Sequence, residues 1–181
     1  HKIPATVLYA SATASMLPIY GANNFCVALA GVTGSGKTKV VRFAASAFGN
    51  PNENESGGIV HGFNTTRTGL ERLLGQQADL AAFLDDLQSG NTKLINSLVY
   101  TIRNGTGKVR GNIGGMQRTL RWNTVAILSG EASARDYCPD GGSAGGILSL
   151  TGAPFGEVSQ ERREEIAEIV SVISTNYGHF A

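Results

Sequence analysis

Cysteine is scarce. Cys26 and Cys138 are the only two in 181 residues, which excludes a disulfide framework and a four-cysteine zinc site. Histidine is nearly as scarce: His1, His61 and His179 stand far apart in the chain and share no metal-ligand spacing. No apolar run approaches the roughly 20 residues of a membrane helix, so no membrane partner is expected. Charged residues make up 16% against 41% hydrophobic, too apolar and too lightly charged for a disordered chain. The length suits one domain, and residues 1–181 are read as such. The chain begins at His1 without a signal-peptide pattern. The expectation is a piece of a longer, cytoplasmic protein.

Acid is missing from one long stretch. Between Asp86 and Glu131 there is no acidic residue, while Lys93, Arg103, Lys108, Arg110, Arg118 and Arg121 all fall there. The net charge is only +1, so the asymmetry, not the total, points to a polyanion. A solvated basic face, or arginines reaching a bound nucleotide, are the alternatives.

Glycine is in excess, 24 of 181 against a usual ~7%, without a collagen period. It punctuates an alternation of elements. A small-residue helix is expected over 3–20, with Pro4 in its first turn and Gly21 as its stop. Apolar runs predict strands near 24–31, 58–63, 80–86, 123–129 and 147–150. Helices are expected over 39–49 (closed by Gly49), 67–77, 91–105 (capped by Asn91 or Thr92) and 159–178. Residues 107–122 suit a β-hairpin with its tip at 112–115, and 141–146 a loop. Strands alternating with helices predict an α/β fold with a mostly parallel five-stranded sheet and helices on both faces.

The first strand runs into GVTGSGKT (31–38), which matches G-x-x-x-x-G-K-[ST]. Gly31, Val32, Thr33, Gly34, Ser35 and Gly36 offer backbone N–H groups to phosphate oxygens, and the following helix N-terminus adds positive potential. Lys37 is the point charge for β/γ-phosphates, Thr38 a Mg²⁺ ligand, and Lys39 borders the site. The fold is therefore read as a P-loop NTPase, with ATP and Mg²⁺ as cofactors.

Such an enzyme needs an acid at a second strand end. LAAFLDD (80–86) supplies Asp85 for the metal shell and Asp86 to orient the attacking water. A turn capping a core strand is the alternative. Ser129 sits where a γ-phosphate sensor is expected, and Glu131 is a second polar candidate. Either can instead start the turn after the strand.

Taken in order, AGVTGSGKTKVVRFAASAFG, TGLERLLGQQADLAAFLDDL, RNGTGKVRG, LRWNTVAILSGEAS, PFG and NYGH resemble the domain of unknown function 927 family of bacterial and mobile-element proteins. The family is similar to AAA+ ATPase cores of hexameric replicative helicases of the MCM and superfamily-3 kinds. The resemblance implies strand order 5-1-4-3-2, ATP at subunit interfaces of a homo-oligomeric ring, and a basic hairpin before the sensor strand facing the channel. On this chain that hairpin maps to Lys108, Arg110, Arg118 and Arg121, for single-stranded DNA. Arg135 is the candidate arginine donated to a neighbour's γ-phosphate, or else a surface charge. Asp86 departs from the family's usual Asp-Glu, which implies slow hydrolysis or binding without turnover. The expected function is an ATP-dependent helicase-like motor in replication of a mobile element. A small-molecule P-loop kinase and a non-hydrolysing ATP switch are the alternatives.

Overall fold

The computed structural model describes residues 1–53, 55–62, 66–87, 92–109, 111–112, 115–116, 118–133, 136, 138 and 144–179. The chain opens with α1 (Lys2–Thr13), a 3₁₀ turn (Ala14–Met16) and α2 (Leu17–Tyr20). Gly21 ends this hydrophobic lead in the left-handed conformation, φ 62°, which costs a glycine no Cβ clash. Then follow β1 (Phe25–Ala30), α3 (Lys37–Ser46), β2 (Val60–Gly62), α4 (Arg67–Gln77) and β3 (Ala82–Leu87). Next come α5 (Thr92–Asn104), the hairpin strands β4 (Gly111–Asn112) and β5 (Gly115–Met116), β6 (Val125–Gly130), β7 (Ile147–Thr151) and α6 (Gln160–Thr175).

The main sheet has order β2-β3-β6-β1-β7, and each neighbouring pair is parallel. With the hairpin strands set aside, that is the expected 5-1-4-3-2. Parallel strands buried on both faces read as unbroken apolar runs, and the period of two only surfaces in three dimensions. Val27 and Leu29 of β1 join Phe83 and Ile127 in the core beneath α1 and α3. Cys26 and Ala28 face the opposite way, towards Leu70 and Leu74 of α4 and Ile95 and Leu98 of α5. Phe83 is fully buried, and burying one such side chain is worth roughly 1.5–3 kcal/mol. α6 packs on α3.

One expectation is corrected. α3 stops at Ser46 rather than running to Gly49. After it the chain pairs Asn50 with Gly58, and a Cβ on Gly49 would lie 3.2 Å from Ile59. Gly49 is thus a close-approach glycine. Cys138 lies outside helix and strand, yet it is buried and packs in the same cluster as Cys26. Burial pushes the Cys26 thiol up to about 12, so it is inert at neutral pH.

Trp122 is packing, as its place before β6 suggests. It is buried and its Nε1 donates to Ile102 O at 3.0 Å. Asn24 donates to the same carbonyl at 3.1 Å and accepts from Thr124 N at 2.8 Å. This knot ties the hairpin's root to α5 and β1. The NYGH ending also gains a role: Gly178, at φ 78°, donates its N–H to Ser46 O at 2.8 Å and secures the chain beyond α6 to the end of α3.

His61 on β2 is partly buried, and burial lowers its pKa below the ordinary 6.5. The folded chain therefore prefers neutral imidazole, while the unfolded chain takes a proton near 6.5. This contribution to stability is complete above the unfolded value and is lost as pH falls through it towards the folded one. Thermal unfolding between about pH 7.5 and about pH 5.5 should show a larger loss for the wild type than for His61→Gln. Parallel curves for the two proteins would refute this.

Candidate nucleotide site

The site gathers at the carboxyl ends of β1, β6 and β3, where open parallel sheets hold ligands. Gly31 leaves β1 with its N–H donated to Gly130 O at 3.3 Å, so loop and sensor strand part at one level. Gly34 and Gly36 then take φ 78° and 97°, the region an L side chain resists. Gly36 is also the N-cap of α3, so the loop's N–H groups and the helix terminus face the same space. Lys37 donates Nζ to Gly31 O at 2.8 Å and to Val32 O at 3.0 Å, which folds its ammonium over the loop.

Asp85 and Asp86 part company. The β3–β6 register pairs Leu84 with Leu128 but Leu87 with Gly130, so two residues of β3 face one of β6. This is a bulge, and it re-aims side chains. Asp86 takes φ 59°, a conformation Asp tolerates better than most residues, and lies exposed. Asp85 is buried, 4% exposed, beside Ser129 at 2%. The Ser129 hydroxyl donates to Asp85 Oδ1. β6 lies between β1 and β3, the position expected of a sensor strand. Glu131 reaches the loop, accepting from Thr33 Oγ1 at 2.5 Å.

Among the described residues, Ser35 Oγ is buried without a hydrogen-bond partner. A buried hydroxyl of this kind calls for a ligand. Together with the two left-handed glycines, it fits a phosphate group. Thr38 and Asp85 bring hard oxygen donors, the ligand type of Mg²⁺.

Sequence reasoning missed one wall. A cavity of about 330 Å³ opens beside the loop, lined by Gly34, Gly36 and Lys39 on one side and Phe155, Glu157 and Arg163 on the other. Phe155 packs so tightly that a Cβ on Gly36 would meet its ring at 3.1 Å. The PFG segment is the signal that could have found it. Arg110 and Arg135 lie outside the described residues. Lys108, Arg118 and Arg121 are exposed at the hairpin's root, away from the loop cavity. Lys108 precedes β4.

This sheet order, loop and buried acid define a P-loop NTPase fold with a β-hairpin inserted before the sensor strand. The family model of the domain of unknown function 927 matches residues 3–122; the chain belongs to that family. No curated protein matches it. A solved structure, SCCmec type IV Cch, an active helicase, superposes with a TM-score of 0.72 at 20% identity. The match covers 98% of this chain and 32% of that one, so this chain spans about a third of its neighbour's length.

Proposed function

We propose that this domain is an AAA+-type, ATP- and Mg²⁺-dependent motor that acts on single-stranded DNA in replication of a mobile element, as part of a homo-oligomeric ring. The observation that carries the reading is the buried Asp85–Ser129 pair on adjacent strands, next to the phosphate loop. The hairpin inserted ahead of Ser129 and its basic root support a nucleic-acid track. The likeness to an active helicase is in keeping with both.

Lys37 would bind the β/γ-phosphates, and the loop N–H groups would orient them. Mg²⁺, held by Thr38 and Asp85, would supply charge neutralisation. Ser129 would hold Asp85 in place and read the phosphate end. Asp86 or Glu131 would orient the attacking water. The test is the rate of phosphate release with and without single-stranded DNA. Stimulation by DNA supports the motor, and stimulation by a metabolite instead supports a kinase.

Asp86's outward, left-handed position favours a second reading, an ATP switch that does not hydrolyse. Tight ATP binding with no phosphate release, with or without DNA, would carry that reading.

A further inference from the structure

A second cavity of about 330 Å³ lies on the other side of the sheet from the phosphate-loop cavity's α6 wall, between α4 and the root of the hairpin. Thr68, Arg72 and Gln76 line it from α4, and Lys108 and Arg118 from the two legs of the hairpin. Glu71 closes its floor, buried at 1% and accepting from Arg67 Nε at 3.3 Å.

The two walls are fixed to each other. A Cβ on Gly75 would stand 3.1 Å from three atoms of Leu120; the missing side chain lets the hairpin leg seat on the helix. Gly107 N donates to Leu120 O at 2.9 Å, and Thr106 bridges Arg121. Arg72, one turn before Gln76, is thereby held in the same cleft as the hairpin's cations. Arg72, Lys108 and Arg118 make no ion pair among the described residues, so three cations face the cleft against one carboxylate already engaged by Arg67.

We propose that this cleft is a phosphodiester-backbone site, with Arg72 of α4 as a nucleic-acid contact alongside Lys108 and Arg118. The inference rests on the motor reading above and extends it from the hairpin to a helix of the core. Exposure of all three cations decides the class of ligand. A small free anion is gripped by buried, convergent donors, whereas a polyanion gains affinity from solvated cations by releasing counterions. Thr68 and Gln76 add the neutral side-chain types that also contact phosphates. Arg72 lies across the cleft from the hairpin legs, so the strand would be held between core and hairpin rather than by the hairpin alone.

The experiment titrates a fluorescent single-stranded oligonucleotide of mixed sequence at several salt concentrations. Arg72→Gln is expected to lower the magnitude of the slope of log Kobs against log[salt] by about 0.7, the loss of one phosphate contact on a single strand. Arg72→Lys, which keeps the charge, is expected to keep the slope. The loss should be the same for other sequences, because phosphate contacts carry no base information. Arg72 is exposed, so unfolding curves of the variants should overlay the wild type. An unchanged slope in Arg72→Gln, with a lowered one in Lys108→Ala/Arg118→Ala, overturns the α4 site and leaves the hairpin reading standing. An unchanged slope with a changed sedimentation coefficient also overturns it, and assigns the cleft to a neighbouring protein. Failure of the wild type to bind the oligonucleotide at any salt overturns this site and the motor reading together.

Discussion

Lys37→Ala is expected to reduce nucleotide hydrolysis by at least about 100-fold, the scale set by removing one preorganised group that stabilises charge on a transferring phosphoryl. The fold should survive. Lys37 is the first residue of α3, only part-buried, and the helix is anchored by Val40, Val41, Ala44 and Ala45 instead. What the variant loses structurally is a pair of hydrogen bonds to Gly31 O and Val32 O, a net cost of about 1 kcal/mol each. The unfolding midpoint should therefore drop by no more than several degrees. Phosphate release and nucleotide affinity, measured beside thermal unfolding, separate the two effects. Wild-type affinity in this variant would sink the phosphate-loop assignment.

The second large effect comes from the aspartate pair. Asp85→Asn keeps an oxygen to accept from Ser129 but removes the charge that would hold the metal shell. Mg²⁺-dependent nucleotide binding should weaken, and turnover should fall by roughly 100-fold or more. Asp86→Asn is the sharper test of catalysis. Asn tolerates the left-handed conformation as Asp does, so the bulge at φ 59° should persist and only the charge changes. The expected result is retained ATP with little turnover. Normal hydrolysis in Asp86→Asn would remove it from the water-orienting role. Glu131→Gln would then be the informative variant, because Glu131 is the acid hydrogen-bonded to the loop through Thr33.

The local chemistry of the site was legible in the chain. Spacing alone marked the glycines, Lys37 and Thr38 of the loop, because phosphate binding there is built from contiguous backbone. The helix over 67–77 was equally plain, since its cap is local: Thr66 Oγ1 accepts from Gly69 N at 3.1 Å. Ser159 caps α6 in the same way, accepting from Arg162 N. The hairpin was readable as a glycine-rich tip between polar flanks, and its strands pair Gly111 with Met116 and Asn112 with Gly115.

Other features depend on partners far along the chain. Nothing around LAAFLDD says that Asp85 turns in and Asp86 out; the register against β6, some 40 residues later, makes the bulge. The apolar run of β1 carries no alternation, so only the helices on each side decide that Cys26 meets α4 and α5 while Val27 meets α3. Gly49 N donates back to Ala45 O at 3.1 Å, but α3 ends at Ser46, and what requires a glycine at 49 is its close approach to Ile59, ten residues on.

Sequence by itself determined the alternation of strands and helices, the phosphate loop and the acid-free basic stretch, because periodicity, capping and contiguous motifs act between near neighbours. Tertiary structure alone decided the pairing of Asp85 with Ser129, the wall formed by Phe155 and Arg163, and the meeting of Arg72 with the hairpin. These juxtapositions follow from sheet register and from close approach at glycines, which join residues tens of positions apart and leave no periodic trace in the chain.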